Sequence, residues 1–366
     1  MDDIAKTWRI LSGITHWLGL LDPPPPVLRR YVIHYGEMAE ATYDAYNKVS
    51  VSKNAGNCRY ARKNLLSRVG LVEGHPLSRY DVTKYIYATS AVILPGAFVN
   101  SDSKNAWSKK SNWIGFVAVA TDEGKKALGR RDIMVAWRGT SNASDMIHDI
   151  EFPFRSENIW EGHVLSEVKR LVNQYRLEEI SLSITGHSMG AAVATLNAVD
   201  IVINGLNRQS IAPLVACPVT VFGFASPGVG DSNFNKVFTL QRNLHCMRVQ
   251  NVLDLVPKYP PVGYKNVGSQ MTIDSMKSEY IKGPGNPGSW HSLEGYLHGI
   301  AGTQGTLGGF KLEVNRDISL VNKFTDDLKP EHGVPGSWWT EKNVGMVQKK
   351  DGTWELQDQE DLESEP

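Results

Sequence analysis

The feature that most constrains the fold is the pentad at residues 186–190, which reads Gly-His-Ser-Met-Gly. The residues before it, 180–184, alternate as a strand does, and residues 191–203 form an apolar run of helical length. A Gly-x-Ser-x-Gly sequence between a strand and a helix is typical of a nucleophile elbow, a sharp turn that exposes a serine hydroxyl. We expect Ser188 to lie on this turn with strained dihedral angles. The glycines are expected because a side chain at either position would collide with the serine.

The composition is that of an ordinary soluble globular chain. Of the 366 residues, 41% are hydrophobic and 21% are charged, and 39 basic side chains balance 39 acidic ones. This balance gives no support for a nucleic-acid partner. The N-terminal residues lack the basic start and apolar core of a signal peptide, and no apolar run approaches the roughly 20 residues that a bilayer requires. The three cysteines are an odd number and widely spaced, which argues against a disulfide framework. Together these features predict a cytoplasmic protein whose membrane contact is peripheral.

Strand-like and helix-like patterns alternate along most of the chain. Strands are predicted at residues 113–120, 133–137, 180–184, 219–225 and 245–252, and helices at 28–46, 163–175, 191–203 and 233–240. Residues 122–125 are predicted as a turn, and a strand at 310–314 and a helix at 318–328 are expected to close the domain. The pattern predicts an α/β fold with a mostly parallel central sheet and helices on both faces. We expect an N-terminal arm at 1–27, a single domain at 28–345 and an acidic, disordered tail at 346–366.

The first long helix carries tyrosines at helical spacing on one face, at positions 31, 35, 43 and 46. A packed core face is the favoured interpretation. A groove for an acyl chain is the alternative.

A serine nucleophile requires an imidazole and a carboxylate as partners. Asp254 is the favoured carboxylate because it follows the predicted strand 245–252, and catalytic groups in α/β sheets gather at the carboxyl ends of strands. Asp200, three helical turns from the serine, and Asp231, a predicted helix cap, are its rivals. His291 is the favoured base because it lies at the end of a loop rich in glycine and proline, residues 283–288. His298 is expected to pack or to cap within a helix, and His332 is expected to be exposed.

The strand at 133–137 is followed at once by Arg138, Gly139, Thr140 and Ser141. Such a turn brings a backbone N–H and a hydroxyl beside a nucleophile, so Thr140 is a candidate for the oxyanion hole. The backbone N–H of Met189, at the start of the elbow helix, is the second candidate donor.

These motifs together resemble the class 3 lipase family. They are Arg138-Gly139-Thr140, the pentad around Ser188, Asn251-x-x-Asp254-x-Val-Pro257 and the run from His291 to His298. The opening residues and Trp338-Trp339 narrow the resemblance to the plant class II phospholipases A1. It implies an α/β-hydrolase domain and a serine mechanism without metal or cofactor. The implied reaction releases a fatty acid from the sn-1 position of a glycerolipid at a membrane or micelle surface. The implied triad is Ser188, Asp254 and His291, with Thr140 and Met189 as the oxyanion hole.

The passage from residue 153 to 163 is shorter than in the family, so either the sheet lacks a strand or this is a shortened form. Two other functions therefore stay open. One is a catalytically weak lipid-binding or scaffold protein that has kept the pocket, and the other is a soluble carboxylesterase. Residues 141–149 are a candidate lid or a fixed loop.

Overall fold

A computed structural model describes residues 2–49, 52, 54–69, 79–88, 112–139, 164–210, 216–340, 343–344 and 346–356. The strands in these ranges are β1 (Tyr80–Ala88), β2 (Asn112–Ala120), β3 (Arg131–Trp137), β4 (Ile180–His187), β5 (Val219–Phe224), β6 (Leu244–Asn251), β7 (Ser269–Ile273), β8 (Met346–Gln348) and β9 (Trp354–Leu356). The α-helices are α1 (Asp2–Leu11), α2 (Pro26–Asp44), α3 (Leu65–Arg68), α4 (Asp122–Leu128), α5 (Val164–Gln174), α6 (Met189–Ile203), α7 (Ser232–Thr239), α8 (Pro287–His291) and α9 (Leu293–Gly302). Short 3₁₀ helices lie at Val256–Lys258, Ser275–Lys277, Ile318–Asn322 and Pro330–His332.

In the described part of the chain the central sheet has seven strands, which lie side by side in chain order from β1 to β7. The pairs β1–β2 and β2–β3 are antiparallel, and β3 to β7 are parallel. The carboxyl ends of the parallel strands therefore meet at one edge of the sheet, where α/β proteins place their ligands. This mostly parallel sheet with helices packed on it is an α/β fold, as predicted.

Both faces of the sheet are covered. Along β2 and β3, alternate residues such as Phe116 and Met134 belong to the core that also contains buried residues of α2 and α9. Their neighbours Val117 and Val135 belong to the opposite core, which contains buried residues of α5 and α6. Successive side chains of a strand point to opposite faces, so strands buried on both sides read as continuous apolar runs.

The N-terminal residues pack on the domain through two tryptophans. Trp8 and Trp17 are buried, and the indole Nε1 of Trp17 donates to the backbone carbonyl of Leu11 at 2.8 Å. The hydroxyl of Thr220 in β5 donates to the backbone carbonyl of Ser12 at 2.8 Å. The arm is thus bonded to the sheet itself.

Two edge elements were not predicted from the sequence. Among the described strands β1 pairs only with β2, and most of its side chains are at least partly exposed, so its pattern is weak. β7 is five residues long and lies at the other edge. The predicted turn at 122–125 was also wrong, because residues 122–128 form α4. The Thr121 hydroxyl caps this helix at its start, and Gly129 ends it with φ of 77°.

The predictions for 310–314 and 318–328 were wrong. Phe310 makes a single bridge to Thr303, and only Ile318–Asn322 is helical, as a 3₁₀ turn. The side-chain carbonyl of Asn322 accepts from the backbone N–H groups of Asp327 and Leu328, each at 2.7 Å. A polar side chain has taken the donors that a longer helix would have used.

The tail predicted to be disordered from residue 346 begins instead with the hairpin β8–β9, in which Val347 is buried. Trp354 of this hairpin packs against Trp338, with the ring centroids 5.0 Å apart. Residues 357–366 lie outside the described residues. In the described part of the chain, no helix has the length and apolar character needed to cross a membrane.

Candidate active site

Ser188 lies on a sharp turn between β4 and α6, as the pentad predicts. Its φ of 61° and ψ of −130° are unusual for a residue with a side chain. The turn is fixed by backbone hydrogen bonds. The N–H of Ser188 donates to the carbonyl of Phe224 at 2.8 Å, and its carbonyl accepts from Ala191 at 3.0 Å. The elbow therefore holds its strained conformation through the neighbouring strand and its own helix.

The two glycines of the pentad are required by backbone contacts, which corrects the predicted collision with the serine. A Cβ atom on Gly186 would lie 2.4 Å from the carbonyl oxygen of Gly190. A Cβ atom on Gly190 would lie 2.5 Å from the carbonyl oxygen of Trp137 and 2.9 Å from the amide nitrogen of Gly139. Since backbone atoms of packed strands cannot move aside, neither position has room for a side chain.

The end of β3 lies directly beside the elbow. A Cβ atom on Gly139 would be 2.5 Å from the carbonyl oxygen of His187 and 3.3 Å from the Cβ of Ser188. Thr140 is the next residue along the chain but lies outside the described residues, as do residues 141–163. The role of Thr140 in an oxyanion hole and the effect of the short 153–163 passage stay predictions. Met189 is the first residue of α6, a position whose N–H has no acceptor within the helix.

His291 and Asp254 are in direct contact. The Nδ1 of His291 lies 2.7 Å from the Oδ2 of Asp254, and both side chains are buried. A carboxylate has no proton to donate, so in this hydrogen bond the Nδ1 of His291 is the donor and carries the proton. The other ring nitrogen, Nε2, is buried and has no hydrogen-bond partner among the described residues. It is therefore an acceptor available to a group that enters the site.

Asp254 is held by two further donors. The hydroxyl of Tyr296 in α9 donates to the same Oδ2 at 2.6 Å, and the backbone N–H of Val256 donates to Oδ1 at 2.9 Å. Burial, together with the charge of Asp254, raises the pKa of Tyr296 well above its ordinary value. The phenol thus stays protonated and remains a donor.

His187, the residue before the serine, contacts the backbone of His291. Its Nε2 lies 2.8 Å from the backbone carbonyl oxygen of His291, and the two imidazole centroids are 4.6 Å apart. On its other side, the Nδ1 of His187 lies 2.9 Å from the hydroxyl of Tyr43 in α2. This contact joins the elbow to the segment that carries His291, so the elbow of Ser188 and the His291–Asp254 pair are neighbours in the structure.

Asn251 holds the residue that precedes His291. Its side-chain Nδ2 donates to the backbone carbonyl of Trp290 at 2.9 Å, and its Oδ1 accepts from the backbone N–H of Ser275 at 3.2 Å. Asn286 caps the five-residue helix α8 that ends at His291, through the N–H groups of Gly288 and Ser289. Polar contacts thus fix the approach of His291 from both sides.

The rival residues lie in other roles. The carboxylate of Asp200 accepts from the side-chain amide of Asn204, the residue that caps the end of α6, and Asp231 caps the start of α7. His298 is buried and its Nε2 lies 2.7 Å from the hydroxyl of Ser278. The prediction that His332 is exposed was wrong, because it is partly covered and packs on the ring of Tyr280.

Sequence reasoning missed the supporting contacts of Tyr296, His187, Tyr43 and Asn251. Three of these residues lie inside motifs that the sequence displays, but a motif does not say which atoms its members contact. On α2, Tyr31 and Tyr35 are fully buried, so the core interpretation of the tyrosine face is confirmed for them. Tyr43 is the member of that face that reaches the site.

The sheet and the elbow at its strand ends define an α/β-hydrolase fold. A family model described as Lipase (class 3) matches residues 154–264. Phospholipase A1-IIgamma of Arabidopsis thaliana is 47% identical over 394 aligned positions, covering 98% of this chain and 94% of its own length. Phospholipase A1-II 1 of Oryza sativa subsp. indica is 46% identical, covering 99% of this chain and 98% of its own length. Among solved structures, a triacylglycerol lipase from Penicillium expansum is 18% identical with a TM-score of 0.42, over 69% of this chain and 81% of that chain.

At this identity over nearly its whole length, the chain belongs to the plant class II phospholipase A1 family. The alignment with the Arabidopsis protein has 394 positions whereas this chain has 366 residues, so the relative carries residues that this chain lacks.

Proposed function

We propose that this protein is a serine acylhydrolase that releases the fatty acid from the sn-1 position of glycerophospholipids or related acylglycerols. The observation that carries the proposal is the buried His291–Asp254 pair, 2.7 Å apart, in which the Nε2 of His291 has no partner among the described residues. The backbone of His291 contacts His187, the residue before Ser188. The names of the relatives supply the substrate class, since they are phospholipases A1.

In the first half of the reaction, the Nε2 of His291 accepts the proton of the Ser188 hydroxyl while the Oγ attacks the ester carbonyl. The negative charge that develops on the carbonyl oxygen is stabilised by the N–H of Met189 and by Thr140. The C–O bond to glycerol then breaks, and His291 returns its proton to the leaving alkoxide. A lysophospholipid departs, and the acyl group stays on Ser188.

In the second half, water replaces the alcohol. His291 accepts a proton from the water, whose oxygen attacks the acyl carbonyl, and the bond to Ser188 breaks with return of the proton to Oγ. Asp254 keeps the proton of His291 on Nδ1 and stabilises the imidazolium that forms in both halves. These steps use only side chains, backbone N–H groups and water.

The test is labelling by a fluorophosphonate, which reacts with an activated serine, combined with fatty-acid release from phosphatidylcholine micelles. We expect the probe to label the protein and Ser188→Ala to abolish labelling. Ser188→Ala should lower turnover by about 10⁶-fold and Asp254→Asn by about 10⁴-fold, as in other serine hydrolases. Fatty-acid release that survives in Ser188→Ala would refute the mechanism. Absence of labelling in the unaltered protein would favour the lipid-binding alternative, and a rate that does not rise on micelle formation would favour the carboxylesterase.

A further inference from the structure

The segment that follows β6 exposes a group of large apolar side chains. They are Val252, Leu253, Leu255, Tyr259 and Val262, and the last is 82% exposed. Single exposed apolar residues are common on soluble proteins, but five within eleven consecutive positions are a local concentration. We call residues 252–265 the 252–265 surface.

The 252–265 surface is continuous with the candidate active site. Asp254 lies within it and is buried against His291, whereas its chain neighbours Leu253 and Leu255 are 37% and 48% exposed. One turn of chain therefore presents a carboxylate to the site and apolar side chains to the outside. A partner that covers this surface would lie next to the segment that holds Asp254.

The charged side chains that follow Asp254 in this segment are all positive. Between Asp254 and Asp274 the sequence has two lysines, Lys258 and Lys265, and no acidic residue. Both lysines are exposed, and the Nζ of Lys258 lies 3.3 Å from the backbone carbonyl oxygen of Val252. The nearby Asp231 uses its carboxylate to cap α7, where it accepts from the N–H groups of Asn233 and Phe234. The surface thus combines apolar side chains, a tyrosine and two cations.

The backbone of the segment is held in place. The N–H of Gly228 donates to the carbonyl of Tyr259 at 2.7 Å, and the N–H of Lys265 donates to the carbonyl of Gly230 at 2.9 Å. Prolines at positions 257, 260 and 261 restrict the chain further. A preformed surface loses little conformational entropy when it binds.

We propose that the 252–265 surface is where this protein rests on a lipid bilayer that carries anionic headgroups. Apolar side chains enter the boundary between headgroups and acyl chains, tyrosine lies at the headgroup level, and lysines pair with anionic lipids. This orientation places the strand ends and the triad against the membrane, where an ester can enter. The inference rests on the proposed function for its choice of lipid as the partner.

The test is flotation with vesicles of phosphatidylcholine and phosphatidylserine in a 4:1 ratio, with Ser188→Ala as the parent protein so that no hydrolysis occurs. We expect Val262→Glu to weaken vesicle binding by at least about tenfold, since it places a charge where an apolar side chain would enter the lipid. Leu177→Glu is the matched control because Leu177 is 86% exposed and precedes β4 at the opposite end of the sheet. It should bind as the parent does. Equal binding by Val262→Glu and the parent, or equal losses in Val262→Glu and Leu177→Glu, would overturn the proposal.

The lysines are tested by Lys258→Glu with Lys265→Glu in the same parent. Each lysine near an anionic membrane contributes about a fivefold change in binding, so the double variant should lose about 25-fold or more on vesicles with phosphatidylserine. On vesicles of phosphatidylcholine alone it should bind as the parent does. Retained binding to the anionic vesicles would overturn the assignment of headgroup charge. These measurements require no enzyme activity. If the fluorophosphonate fails to label the unaltered protein while Val262→Glu weakens vesicle binding, the proposed function alone is rejected. If the probe labels Ser188 while Val262→Glu binds vesicles as its parent does, the lipid surface alone is rejected.

Discussion

The imidazole of His187 donates a hydrogen bond from Nε2 to the backbone carbonyl oxygen of His291, with 2.8 Å between the two atoms. A carbonyl oxygen can only accept, so the proton must lie on Nε2 and the Nδ1 must accept from the hydroxyl of Tyr43. Burial, with the nearby His291, holds the pKa of His187 well below its ordinary value, so the ring stays neutral. His187 is therefore a positioning residue, which ties the backbone of His291 to the elbow.

We expect His187→Leu to lower kcat on a soluble short-chain ester by about tenfold or more, because a shift of about 1 Å in a catalytic group can cost a hundredfold. KM should change little, since the bond does not face the substrate. His187→Gln places an amide nitrogen near the position of Nε2 and should restore most of kcat. The measurement is steady-state kinetics of the unaltered protein and the two variants, with equal melting temperatures as evidence that all three are folded alike. Identical losses in the leucine and glutamine variants would show that the hydrogen bond is irrelevant.

Gly190→Ala should destabilise the fold. Its Cβ would lie 2.5 Å from the carbonyl oxygen of Trp137, and overpacking of this kind costs about 1–3 kcal/mol. Gly309→Ala is the control, because no atom of the described residues beyond its two chain neighbours lies within 4 Å of the Cβ that it would add. The free energy of unfolding, from urea titration, should fall in the first variant and change by less than about 0.5 kcal/mol in the second. An unchanged value in Gly190→Ala would contradict the backbone contact.

Lys323 is a buried cation that lies against a carboxylate of α2 and a carboxylate of α9. Its Nζ lies 2.6 Å from the carboxylate of Asp44 and 3.6 Å from that of Glu294, and all three side chains are at most 2% exposed. Although burial opposes the charge, Asp44 and Glu294 hold the pKa of Lys323 above its ordinary value. Lys323→Met leaves two buried carboxylates without this cation and should cost about 3–5 kcal/mol of unfolding free energy.

The control for Lys323 is Lys282→Met, which removes an exposed pair with Asp326 and should cost less than about 1 kcal/mol. The double variant Lys323→Met with Asp44→Asn should recover part of the loss, because the buried carboxylate that lost its cation is gone, whereas Glu294 keeps its ion pair with Arg316 at 2.5 Å. Equal effects of the two lysine substitutions would mean that burial of the pair does not matter.

Lowering the pH below 6.5 should destabilise the fold because of His298. Burial, with a smaller effect of Arg316, lowers the pKa of His298 to about 3. Between pH 6.5 and 3 the unfolded chain binds a proton that the folded chain does not, so stability rises with pH in this window and is lost as pH falls. The loss attributable to His298 is on the order of 3 kcal/mol at pH 4. Urea titrations of the unaltered protein and of His298→Gln, at pH 7 and pH 4, measure it. The variant should show the smaller difference, and parallel pH dependences in the two proteins would exclude this role.

The sequence by itself determined the elements whose signals are local. The pentad predicts the elbow because a strand, a serine between glycines and a helix are adjacent in the chain. Asp254 and His291 could be chosen because each follows a recognisable break, and the structure brings them into contact. The mostly parallel sheet follows from the alternation of apolar periods.

Only the tertiary structure decided the contacts that join distant segments. The hydroxyl of Tyr43 meets His187 across 144 positions, and Tyr296 shares a carboxylate oxygen with His291. The edge strands β1 and β7 and the hairpin β8–β9 also depend on their partners, because short or half-exposed segments carry little periodic signal of their own. Hydrogen bonds between side chains depend on distances of tenths of an ångström, and these are set by how the helices pack on the sheet. The residue pattern along the chain fixes the elements, whereas packing fixes which of their polar atoms meet.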